Sequence, residues 1–183
     1  MLKILLSYVI LSSPLGIDWN KKYDTAAPTL EGYSHYSGSL RNLEVTYLGT
    51  ESLLSMETEL QINFYKKKIV EALLILGPTG ISKHNCLVRY SQVIKYISKK
   101  YGPRKYTLDE KDPVVSELVY FSSCTPFNVG LRVITTTWET PEFIIEAKLI
   151  GEHHEYFIEI KYIKSNIANE RLKSQKSKII KKL

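Results

Sequence analysis

Three stretches, 130–138, 142–149 and 155–163, are dense in β-branched and aromatic residues and are separated by intervals that only tight turns can bridge. Phe143, Ile145, Ala147 and Leu149 fall on alternate positions, as do Tyr156, Ile158, Ile160 and Tyr162. A period of two sends each set to one face of a strand. With 115–122, of similar composition, these stretches predict four strands joined by three antiparallel hairpins. Any fold of this chain has to bury one face of that sheet.

The earlier half supplies more strands. Leu43 to Leu48 alternates and stops at Gly49. Leu60, Ile62 and Phe64 alternate with Gln61, Asn63 and Tyr65, and Lys66-Lys67-Lys68 leads into the apolar run Ile69 to Leu76. This reads as a hairpin with a lysine-rich turn, although Ala72-Leu73-Leu74 is also compatible with helix. A helix is predicted after Asn85, a good N-cap. Leu87, Tyr90, Ile94, Ile97 and Tyr101 then recur at steps of three and four with lysines opposite them, and Gly102-Pro103 ends the segment. Residues 17–41 mix Gly, Pro, Ser, Thr and Tyr without a period and read as a loosely ordered connection packing through Trp19, Tyr33 and Tyr36. Asp109 to Pro113 reads as a charged loop. The fold expected is α+β: a mostly antiparallel sheet, one long helix packed on one face, and a basic C-terminal helical tail. Its 183 residues divide into an N-terminal hydrophobic segment (1–16), the connection (17–41), a single domain (42–163) and the tail (164–183).

Charge is concentrated in that tail. Lys plus Arg is 25 against 19 for Asp plus Glu, yet Lys161 to Leu183 alone holds eight basic residues and one acid. The rest of the chain is close to neutral, so the pI of about 9.1 describes the tail and argues little for a nucleic-acid-binding core. Ala168, Leu172, Ile179 and Leu183 recur at roughly helical spacing there, with Arg171, Lys173, Lys176, Lys178, Lys181 and Lys182 between them. Such a segment either covers part of a core or lies on an anionic surface through those cations.

The first residues read as an address. Met1-Leu2-Lys3 is a short positive start, and Ile4 to Leu11 has the length of a secretory apolar region. Pro14 blurs the cleavage site that Ser12 and Ser13 would offer, and a buried first element of a cytosolic chain is the competing reading. No run of about 18 apolar residues predicts a conventional spanning helix. Cys86 and Cys124 are an even pair that an oxidising compartment would join.

Few motifs carry chemistry. Gly77 to His84 follows an apolar strand and places Lys83 as a phosphate-binding loop would, but Ser82 replaces the second glycine and His84 stands where a metal-holding hydroxyl belongs. Gly151-Glu152-His153-His154-Glu155 has metal-binding composition, yet adjacent histidines on extended backbone face opposite ways, so a solvated turn is expected. Gly32-Tyr33-Ser34-His35-Tyr36 lacks the closing glycine of a nucleophile elbow. Cys86 at a helix start, near His84, is the one thiol placed for a lowered pKa, with burial or a disulfide as the alternative. Trp19 and Trp138 read either as sheet packing or as part of a binding surface. No catalytic, cofactor or metal site is assigned.

The succession Tyr96-x4-Tyr101-Gly102-Pro103, then Trp138 before a turn and Ile160-Lys161-Tyr162 at a strand end, resembles small exported bacterial proteins of unknown function over roughly residues 87–163. The resemblance implies a one-helix, antiparallel-sheet domain in the cell envelope, either periplasmic or secreted, and brings no catalytic residues. The expected function is non-enzymatic binding of a protein partner or an anionic membrane surface, with no small-molecule substrate inferred. The alternatives are a small enzyme using Cys86 or the Lys83 loop, and a cytosolic protein that meets nucleic acid through its tail.

Overall fold

The computed structural model describes residues 14–24, 26–49, 56–79, 86–111, 124, 127, 130–152 and 155–166. Among them eight strands form one antiparallel sheet: β1 (Tyr33–Ser39), β2 (Glu44–Gly49), β3 (Thr58–Tyr65), β4 (Lys68–Thr79), β5 (Tyr106–Lys111), β6 (Arg132–Glu139), β7 (Phe143–Glu152) and β8 (Glu155–Lys164). Their order across the sheet is β1-β2-β3-β4-β8-β7-β6-β5. Two four-strand meanders therefore meet at the β4–β8 pair, and helix α1 (Cys86–Tyr101) belongs to the crossover between them. The α+β class follows from this arrangement.

The two-residue turn between β3 and β4 is Lys66-Lys67, both at positive φ (49° and 66°), the geometry whose twist matches a tight hairpin. Ala72 to Leu74, the stretch equally compatible with helix, is strand. Its neighbours β3 and β8 supply pairing on both sides, which an isolated propensity does not include. The alternation along β3 and β8 turns Leu60, Ile62 and Phe64, with Tyr156, Ile158, Ile160 and Tyr162, to one buried face. Register extends that face across strands: Leu60, Leu74, Ile160, Ala147 and Thr136 form one continuous row. Removing each large aliphatic side chain in it from water contributes about 1.5–3 kcal/mol.

Helix α1 covers this face. Cys86, Tyr90, Val93 and Ile97 are buried, while Leu87, Ile94 and Tyr101 are partly buried. The stripe is rotated slightly from the one predicted, and Val93 takes the central place that periodicity alone gave to Ile94. Two contacts set the rotation, the Cys86 sulfur at the first turn and the Tyr90 hydroxyl one turn later. Gly102, at φ 90°, ends the helix by donating its N–H to the carbonyl of Ser98 at 3.0 Å, and Pro103 follows.

Several segments differ from the sequence reading. The stretch read as a connection, 17–41, contains the edge strand β1 and sends Ile17, Trp19 and Tyr23 into the core. Trp19 meets Phe143 edge-on at 4.9 Å, Tyr23 meets Phe64 at 5.8 Å, and the Tyr47 hydroxyl donates to the Pro28 carbonyl at 2.8 Å. Three aromatic anchors thus order a segment that has no period of its own. Tyr36, expected to pack, is 66% exposed. Of the charged loop expected from Asp109 to Pro113, residues 109–111 are instead the second half of β5, because pairing with β6 supplies the backbone partners that the local sequence does not advertise, while 112 and 113 lie outside the described residues. The strand expected at 115–122 lies outside the described residues, and so does the Asn85 cap.

Candidate functional site

Cys86 opens α1 and is bonded to Cys124, with the two Cα atoms 5.9 Å apart and both residues buried. The Cys86 N–H also points at the Cys124 sulfur, at 3.1 Å. A sulfur committed to this bond has no thiolate, so the geometry withdraws Cys86 from nucleophilic chemistry. Its expected neighbours, Lys83 and His84, lie outside the described residues, as do His153 and His154. The tail cations Arg171, Lys173, Lys176, Lys178, Lys181 and Lys182 lie outside them too.

The other sequence candidates resolve into packing. Ser34 sits on the exposed edge strand β1 and donates to the Leu48 carbonyl, in extended backbone instead of a strand-to-helix turn. Trp19 is buried, with its ring N–H donating to the Pro14 carbonyl at 3.1 Å. Trp138 is wholly buried and donates to Ser98 Oγ on α1 at 3.2 Å. Neither indole lines a binding surface. Among the described residues no group of three or more His, Cys, Asp or Glu side chains is placed to hold a metal ion. No helix among them is long and apolar enough to cross a membrane.

Two features that sequence reasoning missed remain. The first is the polar network under α1. Tyr90 Oη lies 2.8 Å from the Ala147 carbonyl oxygen and 3.0 Å from Thr136 Oγ1, and Thr136 Oγ1 lies 3.1 Å from Thr107 Oγ1 on β5. Burial pushes the Tyr90 hydroxyl up to about 12, partly offset by its Thr136 bonds and by Arg104, so it stays protonated and acts as a structural donor. The alternation of apolar and polar residues pointed to the sheet, but nothing local marked which tyrosine would meet it.

The second is β5, the outermost strand on its side of the sheet among the described residues. Every residue of it is exposed, and Tyr106 and Leu108 present large apolar side chains at 50% and 49% exposure. On its other face Asp109 receives two hydrogen bonds from Arg132, at 2.9 and 2.8 Å, and Lys111 lies 3.7 Å away. The Arg132 guanidinium holds the Asp109 carboxyl below the usual carboxylate range, and itself rests over the Phe127 ring at 5.0 Å. Lys105 pairs with Glu139 at the other end. Among the described residues β5 is paired only with β6, and Tyr106 and Leu108 project from the face opposite Asp109. The alternation Tyr106-x-Leu108 was the only signal for it, and it is too short to read against the acidic residues that follow. Comparison with protein-family models, with curated proteins and with solved structures finds no match to this chain, so the fold and these surfaces are the ground on which a function is argued.

Proposed function

We propose that this protein is a non-enzymatic, exported or envelope-associated binding protein that engages a protein partner or an anionic membrane surface. The observation that carries the proposal is the buried Cys86–Cys124 disulfide, because such bonds persist in oxidising compartments and are rare in reducing ones. The apolar run Ile4 to Leu11 behind Lys3 supports the same address. The exposed edge of β5 supports a protein partner, and the cations between Arg171 and Lys182 support an anionic surface.

The test is to isolate the protein from its native compartment, weigh the intact chain and count its thiols, then float it with anionic vesicles against duplex DNA at matched ionic strength. The expected result is an oxidised chain outside the cytosol that floats at low salt. Neutralising Lys176, Lys178, Lys181 and Lys182 to Gln removes about 1 kcal/mol of attraction for each and should release the protein. A reduced, full-length cytosolic chain overturns the export half. A strong preference for DNA replaces the membrane with nucleic acid.

A further inference from the structure

The sheet has two faces, and α1, the segment around Trp19 and Phe127 all belong with the one that carries Leu60, Leu74, Ile160 and Ala147. The opposite face presents Leu73, Ile75, Ile144, Ile150, Phe157 and Ile163, each only half-buried among its strand neighbours. Register brings them together: Ile144 faces Ile163, and Ile150 faces Phe157, on adjacent strands. Between them stand Glu59, Glu71, Glu146 and Glu159, with Lys148 and Lys161. Lys161 lies opposite Glu146 and 3.3 Å from Glu71, and Lys148 lies opposite Glu159. Two lysines set among four glutamates leave the interior of this face negative, while its apolar side chains still meet water.

A surface that is both apolar and acidic fits a basic amphipathic segment, and this chain carries one. Residues 167–183 hold six basic residues and one acid around Ala168, Leu172, Ile179 and Leu183. Their point of attachment is the end of β8, a central strand, where the Ser165 N–H donates to the Glu142 carbonyl at 2.9 Å. Seventeen residues in helical form span about 25 Å, whereas the ten residues of β8 extend about 33 Å. A segment of that length that reversed at Asn166 would reach back over Glu146 and Glu159 without passing the end of the sheet. Because it is tethered there, the encounter is intramolecular, and even weak contacts are populated at the resulting effective concentration. We propose that the open acidic face of the sheet is the docking surface of the chain's own C-terminal segment, residues 167–183, held by charge complementarity and by a thin apolar stripe.

The experiment uses the full chain in solution without vesicles, so its outcome is independent of the membrane reading above. Light and isotope-labelled chains are mixed and treated with a carbodiimide, which joins a lysine to a carboxylate only in direct contact. The expected products link Lys173, Lys176, Lys178, Lys181 or Lys182 to Glu59, Glu146 or Glu159 within one chain, and they disappear at about 0.5 M salt, where the Debye length falls to a few ångströms. A second measurement follows trypsin cleavage at those lysines. It should be roughly tenfold faster in the Glu59→Gln, Glu146→Gln, Glu159→Gln variant than in the parent, because the cations are no longer held. Links between light and labelled chains would assign the face to a second copy, and links from Lys3 would assign it to the N-terminal segment. Either result overturns the proposal, as does an absence of tail links or equal cleavage rates in parent and folded variant.

Discussion

The hydroxyl of Tyr90, in the second turn of α1, donates to the carbonyl oxygen of Ala147 on β7 at 2.8 Å, although β7 already gives and receives its own sheet bonds on both sides. The same hydroxyl lies 3.0 Å from Thr136 Oγ1 on β6. One side chain thereby fixes both the height and the rotation of the helix over two strands. Tyr90→Phe keeps the ring and removes the bonds, leaving Thr136 Oγ1 with a buried partner missing. The expected loss of stability is about 1–3 kcal/mol, read as a shift in the denaturant midpoint at unchanged slope. A variant that unfolds like the parent would show the network to be energetically idle.

The rotation of α1 makes a paired prediction. Val93 and Ile97 are 4% and 1% exposed, whereas Ile94 is only partly buried. Val93→Asp places a charge in a site with no room for water, and the cost is several kcal/mol. Ile94→Asp lets the carboxylate reach the solvent beside the sheet and costs less. Thermal melts of the two variants should rank in that order, and the reverse order would place Ile94 at the centre of the packed stripe.

Alkaline titration tests burial of the tyrosines. Burial pushes Tyr47, Tyr90 and Tyr101 each up to about 12. For Tyr47 and Tyr101 the neighbouring phenols Tyr23 and Tyr96 add to the shift. A raised folded-state pKa means that the folded protein holds its protons longer than the unfolded chain. The stability these groups contribute is therefore complete below pH about 10, the unfolded value, and is lost as pH rises towards about 12. Phenolate absorbance should show Tyr47, Tyr90 and Tyr101 ionising only as the protein unfolds. Ionisation of all tyrosines near pH 10 in a still-folded protein would contradict the burial.

Gly151 near the end of β7 is required for a steric reason. A Cβ there would fall within the van der Waals radius of the Phe127 carbonyl oxygen and crowd that of Glu155, both backbone atoms. Gly151→Ala must displace the turn that buries Phe127, at a cost of about 1–3 kcal/mol or more. The turn also carries Cys124, whose carbonyl accepts the Phe127 N–H at 3.1 Å. The variant should therefore reform the Cys86–Cys124 bond more slowly from the reduced state, measured by thiol trapping. Unchanged stability would mean that the turn moves freely.

Reduction of the disulfide is the remaining prediction. The bond closes a loop of 38 residues between the start of α1 and Cys124, and in the chain-entropy model it contributes about 4 kcal/mol. Both cysteines belong to the core, so reduction should lower the melting temperature without abolishing the sheet's circular dichroism at low temperature. Complete unfolding on reduction would mean that the bond is needed to hold α1 on the sheet.

By itself the sequence determined the β3–β4 hairpin, the run β6-β7-β8 and the helix that ends at Gly102. Leu60 to Phe64 and Tyr156 to Tyr162 carry a strict period of two, and Gly102-Pro103 leaves the helix no other end, so local chemistry and fold agree there. The tertiary structure decided the rest, because those features depend on partners distant in sequence. Tyr106 to Lys111 becomes a strand only beside β6, and residues 17–41 become ordered only because Trp19, Tyr23 and Tyr47 find Phe143, Phe64 and Pro28. The acidic face exists only once register aligns Glu59, Glu71, Glu146 and Glu159, which are spread over a hundred residues of chain. Periodicity specifies which side of an element is apolar, but it carries no information about which strand lies next to it, and surfaces are made by that neighbour.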